Sequence, residues 1–156
     1  MGVARRLRRA GVVAALAALP LMLNPATAQA AGDWTDYTDL VPYMPDLPGF
    51  RDGSVDYAGG YVWAMIGWDG TKEVWLKAIA KDTAGDGKGI AMQIRYQSYR
   101  NGAWSGWQYR LPAKAGGLNK KDIKLYENDV PIKNVQFRGC YYTGTSTIVQ
   151  CDGTWH

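Results

Sequence analysis

Residues 90–111 read IAMQIRYQSYRNGAWSGWQYRL, and the fold turns on how they pair. Asn101-Gly102 is the dipeptide favoured in a two-residue type I′ turn, where both central residues need positive φ. A turn there sets Ser98 against Ser105, Tyr96 against Trp107, Ile94 against Tyr109 and Met92 against Leu111, one continuous apolar face. The other face sets Tyr99 against Trp104, Gln97 against Gly106, Arg95 against Gln108 and Gln93 against Arg110. Turn chemistry and period-2 alternation agree on this register, and a slip of one residue would scramble both faces. The stretch predicts a hairpin with one side in a core and the other wet, polar and aromatic.

The same logic reaches outward. In residues 61–81, Asp69-Gly70 predicts a second turn, which pairs Trp68 with Thr71, Ile66 with Glu73, Ala64 with Trp75 and Trp63 with Leu76. Both faces of that ribbon are largely apolar, as in central strands or a sheet covered on both sides. Residues 82–89, DTAGDGKG, form a polar connection; Ala84 and Gln93 stand where a calcium loop of the standard kind needs ligands. Residues 112–126 read as a Gly/Lys-rich crossing with one helical turn at 120–122. Residues 131–142 and 146–152 form a last hairpin whose core residues are Val135 and Phe137. About seven short strands with regularly spaced turns predict an all-β fold, an antiparallel β-sandwich or jelly roll.

Residues 1–30 stand outside that fold. Arg5, Arg6, Arg8 and Arg9 form a basic leader, an apolar run follows, and Ala28-Gln29-Ala30 supplies a small-x-small cleavage pattern. The run is short for a bilayer span, so the expectation is a signal peptide and a secreted product with no membrane association after its removal. Four of the 18 basic residues lie in the leader, which leaves 14 basic against 14 acidic residues. A near-neutral mature chain gives no footprint for nucleic acid. All 19 aromatic residues, seven of them Trp, fall after residue 30. So heavy a load implies exposed rings, and Trp and Tyr are enriched at binding hot spots. Cys140 and Cys151 are expected to pair in the last hairpin, as two cysteines of an exported chain would.

Residues 31–60 read as an extended arm ahead of a sandwich domain at 61–156. The arm has six aspartates and one arginine, and Pro42, Pro45 and Pro48 three apart disfavour helix or central strand. Trp34, Asp36, Tyr37, Asp39, Leu40 and Tyr43 suit a segment that lies along a surface, whether that of its own body or that of a partner.

Several chemistries are excluded. The single histidine is His156, the last residue, which removes Ser-His-Asp, Cys-His and most zinc arrangements. No glycine motif for phosphate is present, and the aspartates at 69, 82 and 86 sit where turn formers belong. The expectation is a non-enzyme with no metal and no cofactor. Its candidate ligand face is Arg95, Gln97, Tyr99, Trp104, Gln108 and Arg110, which project together if the hairpin register holds.

KAIAKDTAGDGKGIAMQIRY, YRNGAWSGW and FRGCYYTGTSTIVQC resemble segments of small exported β-sandwich proteins of actinomycetes, over about residues 63–152. Among these the chain looks like the small adapter subunit of antibacterial umbrella toxin particles. The resemblance implies a compact β domain whose N-terminal segment, here residues 34–43, adds a strand to a partner subunit or fills its groove. A protein-binding adapter is therefore the first expectation. A carbohydrate-binding module stacking sugars on Tyr99 and Trp104 is the alternative. An inhibitor of a secreted enzyme, presenting residues 100–103, is the third.

Overall fold

Asn101 and Gly102 adopt φ of 54° and 80° in the computed structural model, and Tyr99 pairs with Trp104 and Arg100 with Ala103. The central hairpin thus begins as its turn chemistry dictates. The structure describes residues 32–37, 49–69, 73–144 and 147–156. These hold ten strands: β1 (Trp34–Asp36), β2 (Gly49–Tyr57), β3 (Gly60–Asp69), β4 (Glu73–Asp82), β5 (Gly89–Arg100), β6 (Ala103–Trp104), β7 (Gln108–Gly116), β8 (Lys121–Asn128), β9 (Ile132–Thr143) and β10 (Thr147–Cys151). They form two packed antiparallel sheets, a β-sandwich. The first runs β1-β8-β4-β3-β2; the second runs β10-β9-β5-β6, with β7 also on β5.

Beyond the tip the predicted register slips. The Ser105 amide donates to the Ser98 carbonyl at 2.8 Å, and its hydroxyl accepts the Ser98 N–H at 3.0 Å. A side chain thereby replaces a ladder bond, and the strand resumes one residue late, with Tyr96 opposite Gln108 and Ile94 opposite Arg110. A second irregularity sets Met92 opposite Ala113. A slip of one exchanges the faces of a strand. Arg110 and Gln108 therefore turn to the core side, whereas Tyr109 shares the outer face with Arg95. Strand β5 keeps the predicted pattern, with Met92, Ile94 and Tyr96 fully buried.

The second hairpin is also re-registered. Ile66 pairs with Leu76, Ala64 with Ala78 and Trp63 with Ile79, not with Glu73, Trp75 and Leu76. The observed pairing gathers Val62, Ala64, Ile66, Leu76, Ala78 and Ala80 on one buried face, where the predicted one would have set Ile66 beside Glu73. Burial of that apolar set outweighs the preference of Asp69-Gly70 for a tight turn. The helical turn expected at 120–122 is replaced by the start of β8. Gly117 and Asn119, with φ of 104° and 59°, reverse the chain between β7 and β8.

The expected boundary between arm and sandwich at residue 60 needs the largest correction. Gly49–Tyr57 is an edge strand paired along its whole length with β3. Trp34–Asp36 pairs with Tyr126 to Asn128 on β8, and Trp34 is 4% exposed among the core residues. The described ends of the expected arm thus belong to the two opposite edges of one sheet. Residues 38–48 lie outside the described residues.

Cys140 and Cys151 form the expected disulfide between β9 and β10. Val135 and Phe137 are core residues, also as expected. The tail then turns back along β9, where Phe137 and His156 exchange both backbone hydrogen bonds at 3.1 and 3.0 Å. The bridge joins residues 11 apart, and reducing it is expected to lower stability by about 2 kcal/mol. Urea unfolding with and without reductant measures this.

Buried tyrosines give the fold an alkaline limit. The Tyr126 hydroxyl donates to the Pro112 carbonyl at 2.7 Å, and burial pushes its pKa up to about 12. Burial, with Asp33 next to it, raises Tyr96 further. An unfolded tyrosine ionises near pH 10. Stability is therefore complete below about pH 10 and falls as the pH climbs through 12, because only the unfolded chain readily loses these protons. A circular dichroism titration should show that limb, and Tyr126→Phe should flatten it.

Candidate functional site

The outer face of the second sheet carries an alternating stack of rings and guanidinium groups. Arg95 lies between Trp107 and Trp155, its guanidinium carbon 4.4 and 4.5 Å from the two ring centroids. Arg138 covers Trp155 at 4.3 Å, and Tyr109 packs against the same indole. Glutamines fix the planes of the cations. Arg95 Nε donates to Gln136 Oε1 at 2.7 Å, and Arg138 donates twice to Gln93 Oε1 at 2.9 and 2.8 Å. Burial lowers the Arg138 pKa from its ordinary value. The stack exists because the bulge at 105–107 turns Trp107 outward and because the tail carries Trp155 across the sheet.

Towards the hairpin tip the face becomes open. Tyr99 and Trp104 are 39% and 41% exposed, with ring centroids 5.3 Å apart. The Lys133 ammonium sits 4.1 Å above the Trp104 ring. Gln97 donates to the Ser105 carbonyl at 3.0 Å and accepts from Asn134 at 2.8 Å. Of the expected ligand face, Arg95, Gln97, Tyr99 and Trp104 thus come together. Gln108 and Arg110 do not: Arg110 stacks over Tyr126 and donates to the Trp34 carbonyl.

Trp104 also borders a cleft of ≈ 480 Å³ at one end of the sandwich. Ile66, Trp68 and Val74 form its first-sheet wall, and Ile132 and Val135 its second-sheet wall. Trp68 is 37% exposed, so the two sheets each offer one open indole to the same cleft. Gly49 is what lets Trp68 lie flat there, since a Cβ at Gly49 would come within 2.5 Å of the indole nitrogen.

The partner-binding expectation fares differently residue by residue. Trp34 is spent in the protein's own core, edge-on to Tyr96 with centroids 5.5 Å apart. Asp36 stands 3.9 Å from Lys124, and Tyr37 packs on Trp75. Asp39, Leu40 and Tyr43 lie outside the described residues. Asp33, one of the arm's six aspartates, is the anchor of this segment. Buried, it accepts from Tyr96 Oη at 3.2 Å and from Arg100 Nε at 2.6 Å, and Arg100 also reaches the Gly32 carbonyl.

Two carboxylates near the β7–β8 turn are committed to backbone. Asp82 accepts from the amides of Ala84 and Gly117, and Asp122 from that of Lys114. His156 stands 3.6 Å from Asp152. Among the described residues no group of three His, Cys, Asp or Glu is placed to hold a metal. The described residues include no helix long and apolar enough to cross a membrane. Trp68, Trp107, Lys133, Arg138 and Trp155 were missed by sequence reasoning. The Trp-x-x-Trp spacing of residues 104 and 107 was visible, but only the bulge decides which way Trp107 faces. Comparison with family models, curated proteins and solved structures gives no match.

Proposed function

We propose that this chain is a secreted, non-catalytic adapter that binds partner proteins at the end of the sandwich where Trp68 and Trp104 flank the cleft. The observation that carries this reading is that pair of open indoles, one from each sheet, around an apolar concavity. Aromatic anchors beside a desolvated pocket are what binding hot spots are made of. Asp33, Asp82 and Asp122 are spent on structural hydrogen bonds, which fits a non-catalytic role for those three carboxylates. The disulfide is compatible with export. The resemblance to umbrella toxin adapters suggests other secreted subunits of a toxin complex as partners. In that picture docking moves away from Trp34, which the core retains, to the Trp68–Trp104 end.

Tagged protein added to native culture supernatant should retain one or more secreted proteins. Trp104→Ala is expected to weaken that retention about a hundredfold while leaving the unfolding midpoint near that of the wild type. Retention unchanged by Trp104→Ala and by Trp68→Ala would refute the assignment. The carbohydrate reading keeps one observation in its favour, the adjacent exposed rings of Tyr99 and Trp104. A glycan array that retains the wild type but not Trp104→Ala would favour it.

A further inference from the structure

The seam between the two sheets is closed at one end and open at the other. Along it, β2 runs beside β9. Tyr57 packs on Gly139 and stacks with Tyr141, with centroids 6.3 Å apart. Midway, the ring of Phe137 fills the space beside Gly53. Towards Gly49 the strands part, and a side chain bridges them: the Arg51 guanidinium donates to the Val135 carbonyl. The cleft opens at that point.

Among the described residues, both strands that border the opening have an edge to which no further strand is paired. Among the described residues β2 is the last strand of its sheet and pairs with β3 alone. β10 covers β9 from Cys140 onward and the tail reaches Phe137, so no strand pairs with residues 132–136 on that side among the described residues, where the Val135 carbonyl accepts from Arg51. An exposed edge of this kind is a template for another strand. Here an apolar cleft lies directly beside it, so a bound strand could gain main-chain hydrogen bonds from the edge and side-chain burial from the cleft.

We infer that the seam between β2 and residues 132–136 of β9 is a receptor groove for an extended segment of a partner protein. The segment adds a strand at this edge, seats an apolar side chain between Trp68 and Trp104, and carries carboxylates. The charge follows from the lining: its charged groups among the described residues are Arg51 and Lys133, both cations. The chain's own residues 38–48 are poor strand donors, because Pro42, Pro45 and Pro48 lack amide hydrogens. This inference rests on the adapter reading and adds to it the mode of capture and the chemistry of the captured segment.

The test uses the whole chain and a display library of random 12-residue peptides. Selected peptides should be enriched in a large apolar residue flanked by Asp or Glu. On binding, hydrogen exchange at residues 49–54 and 132–136 should slow by about tenfold or more. Lys133→Glu, on the surface and outside the core, should invert the selection toward Lys and Arg. Selected peptides that leave exchange in both segments unchanged would overturn the inference. A supernatant protein retained through Trp104 that leaves exchange there unchanged would overturn it too, while leaving the adapter reading intact. If neither peptides nor supernatant proteins are retained, both fall. A concentration-dependent dimer protected at the same segments would assign the groove to a second copy and overturn the partner-strand assignment.

Discussion

Trp34→Ala is expected to destabilise the protein by about 3–5 kcal/mol, the range for truncating a large core aromatic. Three observations set the size. The indole is 4% exposed in the main apolar cluster, it meets Tyr96 edge-on, and its own strand is only three residues long. Aromatic pairs of that geometry add about 0.5–1.5 kcal/mol beyond the buried area. The three backbone pairs of β1 on β8 could not hold the segment without the ring. The Asp33–Arg100 contact is expected to loosen with it, because Asp33 is the preceding residue and is held where Trp34 packs. Chemical denaturation measures the loss. Trp34→Phe should recover more than half of it by refilling most of the volume. A Trp34→Ala variant as stable as the wild type would mean that the N-terminal segment is a detachable arm after all.

Trp155→Ala is expected to cost about 2–3 kcal/mol, although the residue is the penultimate one of the chain. Chain ends ordinarily contribute little unless tied down. This one is tied by the His156–Phe137 backbone pair and by an indole shared between Arg95 and Arg138. Each cation–π contact contributes about 0.5–2 kcal/mol as desolvation increases, and its loss leaves two guanidinium groups facing each other across the vacated space. Raising the ionic strength should recover part of the loss by screening that repulsion. Trp155→Phe should be intermediate. Thermal unfolding at low and high salt reads both effects.

These two tryptophans mark how far the sequence could be read. The all-β class, the Asn101-Gly102 turn, the buried face of β5 and the Cys140–Cys151 bridge were legible because each is fixed locally, by turn chemistry, alternation or cysteine spacing. Arg95, Gln97, Tyr99 and Trp104 were placed together for the same reason. Gln108 and Arg110 were misplaced because Ser105 offers its hydroxyl in place of a ladder partner, and a bulge one residue long leaves the alternation of the sequence intact on both sides. The β3–β4 register was lost to a subtler competition, in which the burial of six apolar residues outweighed a favourable dipeptide. The acidic, proline-rich neighbours of Trp34 leave open whether its segment lies on its own body or on a partner. Its burial is a tertiary fact, set by the space beside Tyr96. Trp155 joins cations from two other strands, and nothing in its own five-residue tail announces them.

The most direct measurement replaces Trp68, Trp104 or Trp63 in turn with a photo-crosslinking phenylalanine analogue and irradiates each protein in native culture supernatant. Trp63 lies on β3 with Trp68 but faces away from the cleft, paired with Ile79. The account predicts that one secreted protein is captured from positions 68 and 104 and not from 63. Capture from position 63 alone would contradict it.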